Sequence, residues 1–267
     1  MPTTETTTSD DGTEIKYERH GDGQPLICLH GGMAPSEYWQ PVIPHFETYA
    51  PVVPQRPGFG TCRDGLDETG PDDVLDREVS YVRALVDAVD GEPVLFGHSF
   101  GALTALEAAK DAPVEAVAAY EPAVLPEAFA EHADLADRMQ ERLDADDRAG
   151  SMKLYVDQVV CAGEVDDLDA WLAEWPVWPD CVDLVEEVIR MNRVVERYAL
   201  PDRLDVEVPV LVLTGTEGPE FLRESARNVH EALPKGHLVD FDGVSHSGPA
   251  EAPGRTADEV RAFLGSH

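Results

Sequence analysis

Lysine is almost missing from this chain: Lys16, Lys110, Lys153 and Lys235 are the only four, against sixteen arginines. These 20 cations face 53 Asp and Glu, giving a formal charge of −33. Such a polyanion has too few cations to displace the counterions of a phosphate backbone or to settle on an anionic lipid surface. Neither nucleic acid nor membrane is therefore an expected partner. Aromatic residues are also sparse, at 7%. No stretch approaches the roughly 18 apolar residues that a transmembrane helix needs.

Cysteine is limited to Cys28, Cys62, Cys161 and Cys181, without a C-x-x-C pair, so the spacing supports no zinc site. Cys28 falls in an apolar run and is expected as a buried thiol. A Cys161–Cys181 bridge is conceivable and left open. Residues 1–11 are polar and lack an apolar signal core, which points to a flexible lead-in and a cytoplasmic protein. There is no H-E-x-x-H, no G-x-x-x-x-G-K-S/T, and no post-strand G-x-G-x-x-G. The acidic run around Asp144 and Asp146 lacks the glycine of a calcium loop. No metal and no cofactor are expected.

With 267 residues, 43% of them hydrophobic, the chain can bury one large core. Strand-like and helix-like segments alternate, as in a mostly parallel sheet flanked by helices. Strands are expected over 14–19, 25–30, 49–55, 93–96, 114–120, 208–214 and 237–241. Helices are expected over 72–89, 100–110, 220–233 and 256–264. Between residues 122 and 206 the alternation stops. That stretch is acidic and helical (135–143, 152–160, 168–174, 181–198), far longer than a crossover requires. The division predicted is an α/β core of 12–121 and 207–267 carrying an inserted helical cap of 122–206.

Gly97-His98-Ser99-Phe100-Gly101 matches G-x-S-x-G between an apolar strand and an Ala/Leu-rich helix. Glycines two residues either side of the serine allow an abrupt strand-to-helix turn that presents the hydroxyl at a helix N-terminus. On this motif and its context the chain resembles the α/β-hydrolase fold superfamily, in the group with a helical cap inserted before the last core strands. The resemblance covers nearly everything from about residue 14 onward.

Several roles follow from that resemblance. Ser99 would be the nucleophile. His246, in the loop after the last strand, would be its general base, while His98 packs beneath the turn. His30-Gly31-Gly32-Met33 stands where the family has its oxyanion loop, which assigns the amides of Gly32 (with Met33 as near alternative) and Phe100 as donors. The turn of residues 56–60 would be structural. The acid departs from the family pattern: after the strand over 208–214 the family shows G-x-x-D, whereas here Gly215-Thr216-Glu217-Gly218 puts glycine at that position. Glu121, at the end of the strand over 114–120, is the first candidate, and Glu217 the alternative.

The implied reaction is hydrolysis of a carboxylic ester or related acyl compound through an acyl-enzyme. Perhydrolysis or C–C bond hydrolysis on the same triad are alternatives, as is a non-catalytic ligand-binding protein of this fold. A small apolar acyl substrate fits a pocket walled by Met33, Tyr38, Trp39, Trp171, Trp175 and Trp178. Oligomeric state and substrate identity are left open.

The acids are spread along the whole chain, so their mutual repulsion strains the compact state until salt screens it. A salt-adapted protein is the expectation. Its melting temperature, followed by circular dichroism, should climb as KCl rises from ~0.1 toward ~3 M, because the screening length falls from ~10 Å to ~3 Å or below. A flat profile would exclude salt adaptation.

Overall fold

A computed structural model of the chain describes residues 2–34, 36–56, 74–130, 133–163, 165–175 and 178–266. Eight strands form one sheet: β1 (Thr3–Thr8), β2 (Glu14–Arg19), β3 (Gln24–Leu29), β4 (Tyr49–Gln55), β5 (Val94–His98), β6 (Ala116–Tyr120), β7 (Val210–Gly215) and β8 (Gly236–Phe241). Their order is β1-β2-β4-β3-β5-β6-β7-β8. The pairs β1–β2 and β2–β4 are antiparallel and every other pair is parallel.

The central strands are short apolar runs because both faces are covered. Every residue of β5, β6 and β7 is buried. Their side chains alternate between two clusters, as the two-residue period of a strand requires. Leu95, Val117, Ala119 and Val212 join one cluster, with Leu103 and Leu106 of helix Phe100–Ala108 and Val82 and Leu85 of helix Val74–Ala88. Phe96, Ala118, Leu211 and Leu213 join the other, with Ala257, Val260 and Phe263 of helix Pro253–Leu264.

Between β6 and β7 the chain runs through helices Glu127–Ala130, Leu135–Asp144, Arg148–Tyr155, Leu168–Glu174, Trp178–Cys181 and Val185–Arg197. Buried Met139, Met152, Val188 and Met191 of this excursion belong to the same cluster as the first face of the sheet. The single helix expected over 152–160 is instead the end of Arg148–Tyr155 followed by a wider turn, Val156–Val160, closed by Cys161 N–H donating to Val156 O. Among the described residues no helix is long and apolar enough to cross a membrane.

Two further differences have physical causes. Residues 3–8, expected within a flexible lead-in, form an edge strand in full register with β2 (Thr3 opposite Arg19, Thr8 opposite Glu14). The threonine run carries β propensity that a search for apolar periodicity overlooks. The last helix starts at Pro253 rather than 256, since proline fits the first turn, where its missing N–H is not needed. Cys28, Cys161 and Cys181 are separate, buried thiols. Cys62, the start of the helix expected from residue 72, and most of the 56–60 turn lie outside the described residues.

A buried ionic cluster joins the core to the excursion. Arg56 Nε lies 2.8 Å from Glu78 Oε2, and Arg77 Nη2 lies 3.3 Å from Glu78 Oε1 and 2.7 Å from Glu187 Oε1. Arg190 completes it at 3.1 Å from Glu187 Oε2. Burial works against the charge of Arg77, but Glu78 and Glu187 outweigh it and raise its pKa. Removing one partner leaves an uncompensated buried charge. Glu78→Ala should therefore lower stability by about 3–5 kcal/mol in urea unfolding. The loss should persist in molar KCl, because buried pairs are screened far less than surface ones.

Candidate active site

At the end of β5 the chain turns at once into helix Phe100–Ala108, and Ser99 occupies the turn with φ 55° and ψ −120°. That conformation costs about 1–3 kcal/mol in a residue with a side chain. Backbone bonds hold it in place: Ser99 N–H donates to Tyr120 O at 2.9 Å, and Ser99 O accepts from Ala102 N at 2.9 Å and Leu103 N at 3.1 Å. The flanking glycines are required by close approach. A Cβ on Gly97 would lie 2.4 Å from Ala102 Cα, and one on Gly101 would lie 2.3 Å from Leu29 O.

Glu121 stands one strand over, at the end of β6, and is also forced to positive φ, 43°. Its N–H donates to Leu213 O at 2.9 Å. Its carboxylate is fully buried and fully engaged. Oε1 accepts from Thr214 Oγ1 at 2.8 Å and Gly215 N at 2.9 Å, while Oε2 lies 2.6 Å from His246 Nδ1. Two donors from β7 thus aim the carboxylate at the imidazole. With Nδ1 donating to Oε2, Nε2 of His246 is left as a proton acceptor.

Glu217, the alternative acid, is exposed. Its amide bonds Val244 O, and its side chain is not brought to His246. Gly218 explains why the usual acid position is glycine. A Cβ there would sit 3.1 Å from Glu121 Oε1 and 3.4 Å from His246 N, in space needed by the carboxylate reaching over from β6.

The His246 loop is held from below. Tyr120 Oη donates to Ser245 O at 2.7 Å and His98 Nε2 to His246 O at 2.8 Å. Burial first, and the neighbouring His246 second, depress the pKa of His98 far below the ordinary value, so it remains a neutral single donor. His98 is thus a prop, as the sequence reading expects.

The glycine loop after β3 is held from behind. Arg56 Nη1 donates to His30 O at 2.9 Å and to Gly31 O at 3.5 Å, and His30 Nδ1 lies 3.0 Å from Gly31 O. Burial, then the charge of Arg56, pushes the His30 pKa down to about 3. In a trans peptide, N–H and C=O point in opposite directions, so the Gly32 amide faces away from Arg56. Gly32 and Ser99 border the same two cavities. Sequence reasoning missed this use of Arg56, although its position beside a P-G turn was visible.

The larger cavity, about 360 Å³, is bordered by Ser99, His246, Met33, Tyr38 and Trp175. A smaller one of about 40 Å³ is bordered by Gly32, Ser99, Phe100 and Tyr155. Three of the expected wall residues are elsewhere. Trp39 is fully buried against Phe96, ring centroids 4.7 Å apart, in the cluster on the far face of the sheet. Trp171 packs on Trp175 at 5.1 Å from outside the lining, and Trp178 lies against Lys153. Helix Leu168–Glu174 ends before Trp175, so Trp171 stands on the helix and Trp175 just past its end. Pro176 and Val177 lie outside the described residues. Tyr155, Val159 and Val160 take that side of the larger cavity. No group of three or more His, Cys, Asp or Glu among the described residues could hold a metal ion.

The model of the alpha/beta hydrolase family matches residues 26–259. Pimeloyl-(acyl-carrier protein) methyl ester esterase of Legionella pneumophila is 32% identical over 100 residues, which is 37% of each chain. The 2-hydroxy-6-oxo-6-(2'-aminophenyl)hexa-2,4-dienoic acid hydrolase of Metapseudomonas resinovorans is 32% identical over 102 residues, 36% of this chain and 33% of that one. The aligned part of this chain thus spans little more than a third of the length of these curated relatives. An alpha/beta hydrolase from Sphaerobacter thermophilus shares the fold, with a TM-score of 0.82 over 97% of this chain and 100% of its own at 23% identity.

If Glu121 orients His246, Glu121→Gln should lower kcat on a 4-nitrophenyl ester by about 10⁴, since the amide favours the wrong imidazole tautomer. Glu217→Gln should stay near wild type. The reverse ranking would reassign the acid.

Proposed function

Because the chain belongs to the alpha/beta hydrolase family, we propose that it is a serine hydrolase cleaving an uncharged carboxylic ester through an acyl-enzyme. One observation carries this reading: a fully buried carboxylate 2.6 Å from His246 Nδ1, with His246 and Ser99 bordering one largely apolar cavity. In this mechanism His246 Nε2 takes the Ser99 hydroxyl proton as Oγ attacks the ester carbonyl carbon. The carbonyl oxygen gathers charge and is met by the amides of Gly32 (or Met33) and Phe100. Collapse breaks the bond to the alcohol oxygen, which leaves with the proton from His246. Water then attacks the acyl carbon, giving its proton to His246, and Ser99 recovers one as the acid departs.

The ester reading is favoured over C–C cleavage by charge. Among the described residues no lysine or arginine borders the larger cavity, whereas Glu37 does, so an anionic dienoate would meet no counterion from them. The overall charge of −33 likewise disfavours an acidic carrier protein as part of the substrate. A small apolar acyl compound is the substrate class proposed, with residues 122–206 acting as a cap over Ser99. The acidic surface is read as an adaptation to a salty cell interior, with no nucleic-acid or membrane partner. A binding protein without turnover would have no use for a buried Glu–His pair beside a serine held at positive φ.

A fluorophosphonate probe tests the reading directly. In ~3 M KCl, chosen so that surface charges are screened, intact mass should show one adduct on the wild-type chain and none on Ser99→Ala. Absence of the adduct from folded wild-type protein overturns the proposal.

A further inference from the structure

Tyr155 carries the phenol that the proposed mechanism leaves unused. It ends helix Arg148–Tyr155, where the chain passes into the wider turn Val156–Val160, and it borders both cavities that meet at Ser99. Its oxygen reaches the glycine loop: a Cβ built on Gly32 would lie 3.0 Å from Tyr155 Oη. The smaller cavity, bordered by Gly32, Ser99, Phe100 and Tyr155, is therefore the place where both proposed amide donors and a phenol hydroxyl converge.

Tyrosines elsewhere in the molecule have structural partners, although the buried Tyr38 hydroxyl, at the larger cavity, has none among the described residues. Tyr120 Oη holds Ser245 O, and Tyr198 Oη bonds Glu107. Among the described residues Tyr155 has no such bond and no charged neighbour acting on it. Burial alone pushes its pKa up to about 12, so the hydroxyl keeps its proton throughout the working range and can only donate to an oxyanion. The residue is half-buried and borders both cavities, so its hydroxyl is open to an acceptor that arrives there.

Resting on the serine-hydrolase reading, we propose that Tyr155 is a third donor to the oxyanion, delivered from the helical excursion rather than from the core. The hydroxyl hydrogen bonds the former carbonyl oxygen as Ser99 Oγ adds to the acyl carbon. No proton is transferred, and the bond is strongest when the oxygen carries full charge. The geometry also favours glycine at 32, since a Cβ there would crowd the hydroxyl at 3.0 Å. It further couples turnover to the excursion: a displacement of helix Arg148–Tyr155 would remove one donor while leaving Ser99, His246 and Glu121 in place.

Tyr155→Phe removes only an oxygen that bonds nothing among the described residues, so melting temperature should be unchanged. With 4-nitrophenyl butyrate, kcat should fall about a hundredfold with KM within about twofold, the scale of one lost oxyanion donor. Binding of an alkyl trifluoromethyl ketone, whose adduct with Ser99 carries the oxyanion, should weaken by the same factor. A residue that merely walls the cavity would shift KM and leave the ketone ratio untouched. If wild type takes the fluorophosphonate adduct but Tyr155→Phe keeps kcat and ketone affinity within about twofold, the third donor is overturned and the hydrolase reading stands. Failure of wild type to label overturns both.

Discussion

The site depends on one extension of the parallel ladder beyond the ends of the strands. Where β5 and β6 stop, Ser99 N–H still bonds Tyr120 O, and Glu121 N–H still bonds Leu213 O. Those two bonds pin the first residue after each strand against the strand beside it. Both residues are driven to positive φ as the chain leaves the sheet, Ser99 into a helix and Glu121 into Pro122. Strain at two such points is tolerated because the ladder and the core on both faces over-determine the backbone. The proposed nucleophile and acid thus stand on adjacent strands of one rigid edge, at the carboxyl ends where open α/β sheets place their ligands.

The loops above that edge are positioned by groups chosen for direction of hydrogen bonding. Thr214 and Gly215 orient the Glu121 carboxylate, His98 and Tyr120 hold the backbone of the His246 loop, and Arg56 with His30 fixes the carbonyl side of the glycine loop. Arg56 belongs to the same buried ionic cluster that reaches helix Val185–Arg197, so the glycine loop and the excursion share an anchor. Electrostatics therefore works on two scales. The excess of acids is a property of the solvated surface, where charges are the ones that salt screens most. The few buried carboxylates each face specific donors and hold geometry.

In the proposed mechanism the helical excursion contributes chemistry as well as cover. Trp175, Val159 and Val160 close the larger cavity, and Tyr155 reaches the smaller one. An apolar enclosure raises the worth of each donor aimed at a developing charge, because water is not there to compete. A motion of the excursion would alter both the volume available to the acyl group and the number of donors on the oxyanion.

The sequence by itself determined the strand–turn–helix around Ser99, the alternation that makes a parallel sheet, and the His246 loop after the last strand. These are local patterns: glycine spacing, a two-residue or a 3.6-residue period, and chain order. It also offered Glu121 with Glu217 as the alternative, and could go no further. Glu121 and His246 are 125 residues apart, and no local pattern records which carboxylate crosses to which imidazole. Tertiary structure decided that contact, through donors on β7 and the empty space at Gly218. It likewise buried Trp39 behind the sheet and placed Tyr155 in front of it. The phase of a helix, and the end at which it stops, are set by packing against the rest of the molecule rather than by the spacing of its own residues.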